Sequence, residues 1–196
     1  ELSPKEVGDF SATAYFFGDL LQRSLDIPVG LIHCSWSASK IETWMDKETL
    51  SQFPEIQLPD IEQTKFDWPA GTPTLLWNAM VNPWKGFPVK GVIWYQGESN
   101  VDRRNEYAAL LTAMIADWRN TFGNPELAFY IVELADFLSR DDVSGRQAWA
   151  EMRKEQAKVA ETNRNTRLIR NSDLGEWNDI HPLDKKTLGQ RAAESA

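Results

Sequence analysis

The chain has 196 residues, 42% hydrophobic and 26% charged, enough for one domain with a sizeable buried core. Its net charge of −8 argues against nucleic acid and against an anionic membrane surface, since both need clustered Lys and Arg. No apolar run approaches the ~20 residues that span a bilayer.

Ser3-Pro4-Lys5-Glu6 reads as a capping box, with Ser at the N-cap, Pro at the first helical position and Glu three residues after the cap. Phe10, Ala14, Phe17, Leu21 and Leu25 then recur at helical spacing. After Pro28, the apolar run Val29–Cys34 suits a buried strand. Residues 46–76 hold four prolines and little periodicity, and are expected to form a long loop over one edge of the domain. Leu75, Leu76, Trp77, Met80 and Val81 predict a short helix ending before Pro83.

Residues 90–96 form the second expected strand, centred on Val92-Ile93-Trp94-Tyr95. Tyr107, Leu110, Leu111, Met114, Ile115 and Trp118 give the clearest helical stripe. A third strand is expected at 127–134, a helix at 146–161 with Trp149, Met152 and Val159 inward, a fourth strand at 166–170, and a last helix from Pro182. Alternating strands and helices imply parallel crossovers and a three-layer α/β/α sandwich in a single domain spanning 1–196. Neither Glu1 nor the helix-like residues 189–196 look like natural ends, so the domain is expected to be partial.

In such a sheet the site lies beyond the carboxyl ends of the strands. That rule selects Ser35-Trp36-Ser37-Ala38-Ser39, Gln96-Gly97-Glu98-Ser99-Asn100, Ala135-Asp136 and residues 171–181. There are two histidines, His33 and His181. His33 lies within an expected strand and reads as a hydrogen-bonded core or rim residue. His181 follows the last strand, two residues after Asp179, a carboxylate able to fix its tautomer and stabilise its cation. The alternative is an exposed loop histidine beside a helix-capping Asp. Gln96, Ser99 and Asn100 bring amide and hydroxyl groups to the cleft, suited to an oxyanion or to capping the next helix. Glu98 is either an acid/base or, more in keeping with its place, an anchor for backbone N–H groups. One cysteine and two distant histidines give no metal-ligand spacing, and no cofactor loop is present. Most of the nine tryptophans are expected in the core, and any left at the surface hint at a glycan ligand.

The segments Gly91-Val92-Ile93-Trp94-Tyr95-Gln96-Gly97-Glu98-Ser99-Asn100 and Asp179-Ile180-His181-Pro182 resemble those of the sialate O-acetylesterase family of SGNH hydrolases. Pro28–Ile32, Trp77–Met80 and Asp117–Arg119 fit the same pattern in the same order. The resemblance implies an SGNH-hydrolase, flavodoxin-like sheet lacking its first strand. It implies removal of acetyl groups from sugar hydroxyls by a Ser-His-Asp arrangement, with no metal or cofactor. His181 matches the family's base and Asp179 its acid, with Asp173 in reserve. Gln96, Glu98 and Asn100 match the segment lining the oxyanion region, and Ser37 and Ala38 stand where the family has a Gly-Gly pair. A β-carbon there is expected to oppose the backbone conformation the pair adopts. The family's GQSN nucleophile segment has no counterpart, so the serine is expected upstream and the chain alone is expected to be nearly inactive. The family's polysaccharide substrates imply export, and sialate, xylan and other acetylated glycans all fit as partners. A non-catalytic glycan-binding or structural module that has lost its nucleophile is the rival reading.

Overall fold

Three short apolar segments rich in β-branched and aromatic residues pair into one parallel sheet, with helices covering both of its faces. The computed structural model describes residues 7–60 and 65–196, so the expected capping box at Ser3–Glu6 lies outside the described residues. The strands are β1 (Gly91–Trp94), β2 (Ala128–Val132) and β3 (Thr166–Ile169), in the order β1-β2-β3. Gly91 pairs with Ala128 and Trp94 with Ile131; Phe129 pairs with Thr166 and Val132 with Ile169. The helices are α1 (Ala12–Leu25), the single turn α2 (Lys47–Leu50), α3 (Arg104–Thr121), α4 (Val143–Thr162) and α5 (Lys185–Glu194).

Side chains alternate across a strand, and β2 shows the consequence. Phe129 and Ile131 enter one core with Tyr107, Leu111, Met114 and Ile115 of α3 and Met152 and Val159 of α4. Tyr130 and Val132 enter a second with Leu188 and Ala192 of α5, against which Phe17 of α1 packs. The layers are therefore α3 and α4, the sheet, then α1 and α5, as the alternation of elements requires.

Five sequence expectations need correction. Val29–Cys34 joins no ladder among the described residues, and Gly30, Ile32 and His33 are exposed. An apolar run becomes a strand only where a neighbour pairs its backbone, and this one has none. Among the described residues, 46–76 are largely irregular as expected, but the stretch is not merely laid over an edge. Together with the preceding Ile41, Trp44 and Met45, Leu50 and Ile56 of this stretch are core residues beside α3, and Asp46 caps α2 by accepting from Thr49 N at 2.7 Å. α1 begins after Ser11, whose hydroxyl accepts from Ala14 N; its buried residues are Thr13 and Gly18, while Leu25 is exposed. α5 begins at Lys185 rather than at Pro182, because Asp184 provides the N-cap to Thr187 N at 2.9 Å. The expected helix near residue 77 is a π-helical turn, Trp77–Val81.

Three successive residues of α3 hold the outlying segments. Trp118 Nε1 donates to Trp44 O at 3.1 Å, and Arg119 Nε donates to Leu127 O at 3.1 Å. Asp117 is buried, takes a weak bond from Thr121 Oγ1 at 3.3 Å, and leaves Oδ2 without a partner. Burial pushes its carboxyl up to about 6, and the neighbouring Asp46 charge adds to this. A raised carboxyl contributes stability at low pH that is lost as pH rises through about 6. Asp117→Asn carries no charge to bury. Its thermal midpoint should therefore gain on the parent between pH 5 and pH 7.5, by an amount worth about 1–3 kcal/mol. Equal midpoint differences at both pH values would show that Asp117 does not titrate in this range.

Candidate functional site

Beyond Trp94 the β1 ladder ends, and the chain turns through Gly97 into the 3-10 segment Glu98–Arg103 that leads to α3. Gly97 has φ +153°, and a β-carbon there would meet Gln156 Nε2 at 3.0 Å and Leu134 Cδ2 at 3.1 Å. Backbone groups freed at the strand ends are taken by buried side chains. Gln156 of α4 accepts from Leu134 N at 2.9 Å and donates to Gln96 O at 3.1 Å and Val132 O at 3.3 Å, so one amide ties the ends of β1 and β2 together. Tyr107 accepts from Trp94 Nε1 at 3.1 Å, and its hydroxyl lies 2.9 Å from Gln96 Oε1. Burial pushes the Tyr107 hydroxyl pKa far up, which keeps it a donor.

The Gln96–Asn100 segment in turn roots the segment around Ser39. Gln96 Nε2 donates to Ser39 O at 2.9 Å and Asn100 Oδ1 at 2.8 Å, which uses both of its N–H groups. Asn100 Oδ1 also accepts from Ile41 N at 2.9 Å, and Asn100 Nδ2 donates to buried Glu42 at 2.9 Å. Arg103 completes the chain on Glu42 Oε1 at 2.9 Å. Of the two amides named as oxyanion candidates, Gln96 is thus fully committed to the fold, whereas Asn100 keeps one N–H.

Ser39 is buried and accepts from Trp44 Nε1 at 2.9 Å, while Trp36, Ser37 and Ala38 stand exposed before it. Ala38 has φ 54°. Its β-carbon therefore does not prevent the left-handed backbone; it adds about 1 kcal/mol of strain. His33 is exposed rather than in the core, with its ring edge-on to Phe10 and Nε2 2.6 Å from Ser35 Oγ.

The loop after β3 is pinned from several sides. Glu133 Oε1 accepts from Asn171 N at 3.1 Å and Ser172 N at 2.9 Å, and Leu138 N donates to Trp177 O at 2.8 Å. Gly175 lies so close to Asp136 that a β-carbon would fall 2.2 Å from Asp136 O. Ile180 packs on the main core and Pro182 is buried, which leaves the alternate residues Asp179 and His181 facing outward. Asp179 Oδ1 accepts from the backbone N–H of His181 at 2.7 Å and lies 3.7 Å from its Nδ1. The imidazole is 81% exposed, and no hydroxyl bonds its ring among the described residues. Asp173, the reserve acid, is taken by Arg191, which bonds both oxygens at 2.7 and 2.9 Å and holds its carboxyl down to about 2.

Glu98 is half-buried in the loop that follows β1. Burial raises its carboxyl, while its own and Gly97's backbone N–H groups and the His181 and Lys185 charges oppose the rise. Lys185 is held by Tyr95, with Nζ 3.0 Å from the hydroxyl and 4.9 Å from the ring centroid. Sequence reasoning passed over Lys185, Tyr95, Glu42 and Gln156. Gln156 left a trace, a polar residue on the inward stripe of Trp149, Met152 and Val159. Glu42 left none, because its segment lacks periodicity.

Comparison with known proteins gives one answer at every level. The family model described as carbohydrate esterase, sialic acid-specific acetylesterase matches residues 2–196. Sialate O-acetylesterases of Pongo abelii and Homo sapiens are each 32% identical across 92% of this chain. A solved carbohydrate acetylesterase of Xanthomonas citri superposes with a TM-score of 0.84 and 35% identity over 98% of this chain. The chain spans 37% of the length of those two sialate O-acetylesterases and 42% of the solved one.

The tight seat of Gly175 makes the Asp179–His181 loop sensitive to one methyl group. Gly175→Ala should cost about 1–3 kcal/mol by overpacking. In hydrogen exchange, the protection of Leu138, Ser172 and Asp179 amides should fall before that of β2. Unchanged protection there would mean that the loop is not held by this contact.

Proposed function

We propose, from the premise that the chain belongs to the sialic acid-specific acetylesterase family of carbohydrate esterases, that the protein carrying it removes acetyl groups from sugar hydroxyls. The observation that carries this reading is the meeting of two distant segments at the carboxyl end of the sheet, where Lys185, just after the Asp179–His181 pair, bonds Tyr95 at the end of β1 at 3.0 Å. The nucleophilic serine comes from a segment outside these residues. Two features support that: the outer edge of β1 is unpaired among the described residues, and Val29–Cys34 runs apolar and unpaired.

The serine oxygen attacks the acetyl carbonyl carbon as His181 accepts its proton. Asp179, 3.7 Å from Nδ1, orients the imidazole and faces the positive charge that forms on it during the transfer. Backbone N–H groups at Ser37-Ala38 and the remaining N–H of Asn100 take the developing oxyanion. His181 then returns the proton to the departing sugar oxygen, and water repeats the sequence on the acetyl-enzyme. Acetylated polysaccharides lie outside the cytoplasm, and an extracytoplasmic location belongs to the same proposal.

The natural protein that includes this chain should hydrolyse p-nitrophenyl acetate, and His181→Ala should lower kcat about a thousandfold or more. Asp179→Asn should lower it less. Residues 1–196 alone should show almost no turnover. An unaltered rate in His181→Ala removes His181 from the mechanism. No turnover by the natural protein would favour the glycan-binding reading.

A further inference from the structure

The nine tryptophans divide sharply. Trp44, Trp77, Trp94, Trp118 and Trp149 are at most 7% exposed, whereas Trp36, Trp68, Trp84 and Trp177 lie at the surface. Two of the surface rings have local partners: Lys40 sits over Trp68, and Phe87 meets Trp84 edge-on. Trp36 and Trp177 have no ring or cation partner among the described residues, and Trp177 is the more exposed at 61%.

Trp177 is exposed on a firmly held backbone. Its carbonyl accepts from Leu138 N, Gly175 is wedged against Asp136, and Asp179 N donates back to Glu176 O at 3.1 Å. Leaving so large an apolar ring in water forgoes burial free energy that a ligand covering it would recover. The ring stands two residues before Asp179 and four before His181. A Trp side chain has only two torsions to settle, so a ring carried on a held backbone loses little entropy when a ligand covers it. Its negative π-face attracts the polarised C–H groups that a pyranose presents on its apolar face.

We propose that Trp177 is a stacking platform for the pyranose ring that carries the ester, a sugar subsite built into the loop of the Asp179–His181 pair. It determines specificity for sugar esters over simple acetates; this part rests on the esterase reading, whereas the contact with the sugar does not.

The kinetic test uses the natural protein with acetylated xylo-oligosaccharide, O-acetylated sialic acid and p-nitrophenyl acetate. Trp177→Ala should raise KM for the hydrolysed sugar ester at least tenfold with kcat changed less than threefold. The loss in kcat/KM should be at least five times larger for that ester than for p-nitrophenyl acetate. Trp177→Phe, which keeps an aromatic face, should recover most of the KM. Equal losses on both substrates would mean that the loop has moved, and would overturn the proposal, as would an unchanged KM. If the parent hydrolyses no sugar ester, the esterase reading fails. A titration of residues 1–196 with xylotetraose and with sialic acid, following the Trp177 indole N–H by NMR, then decides the subsite. A saturable shift of that signal supports the platform, and a signal unmoved by both sugars overturns it.

Discussion

A parallel sheet creates a problem where its strands end: the ladder stops, yet the backbone continues into a buried region with its donors and acceptors unpaired. In this chain the problem falls at the carboxyl ends of β1, β2 and β3, and amide side chains solve it. Gln156 bridges the ends of β1 and β2, Asn171 Nδ2 donates to Glu133 O at 3.1 Å, and Gln96 with Asn100 receives the incoming Ser39–Glu42 segment. An unpaired buried amide costs about 1–3 kcal/mol, so these bonds set where each loop sits. The irregular segments around the site are therefore anchored at the strand ends by these side-chain bonds.

This scaffold divides buried polar groups from exposed ones. Gln96, Gln156, Glu42 and Tyr107 are spent on structure, because burial demands that each hydrogen-bonding group be matched. Ser37, Ala38, Asp179, His181 and Trp177 are left outward and unmatched or lightly matched. Ile180 and Pro182 are packed inward and pull the loop down, which leaves the alternate residues Asp179 and His181 facing out. The candidate site residues are thus those that the core did not claim, within one or two positions of residues that it did.

Much of the fold was legible because its signals are periodic. The helical stripe from Tyr107 to Trp118 is buried throughout, the apolar centres of the three strands lie where expected, and the alternation of elements implies the layers found. Val29–Cys34 shows the limit of such signals. Its sequence is as strand-like as that of β1, but strand formation depends on a neighbour, and sequence pattern carries no information about who stands alongside. The stretch from Ile41 to Ile56 shows the opposite failure. It has no period, yet it fills the core beside α3, because single helical turns such as Ile41–Trp44 and α2 bury residues without being long enough to repeat a stripe.

By itself the sequence determined the alternation of strands and helices, the segments at the carboxyl ends of the strands, and the family through Gly91–Asn100 and Asp179–Pro182. These are local properties, written in neighbouring residues. Only the tertiary structure decided that Gln96 has no N–H to spare, that Arg191 claims Asp173, that Ala38 adopts the left-handed backbone, and that Glu98 lies within reach of the His181 charge. Each of these depends on partners far away along the chain, and a hydrogen bond can be assigned only once both of its ends are placed.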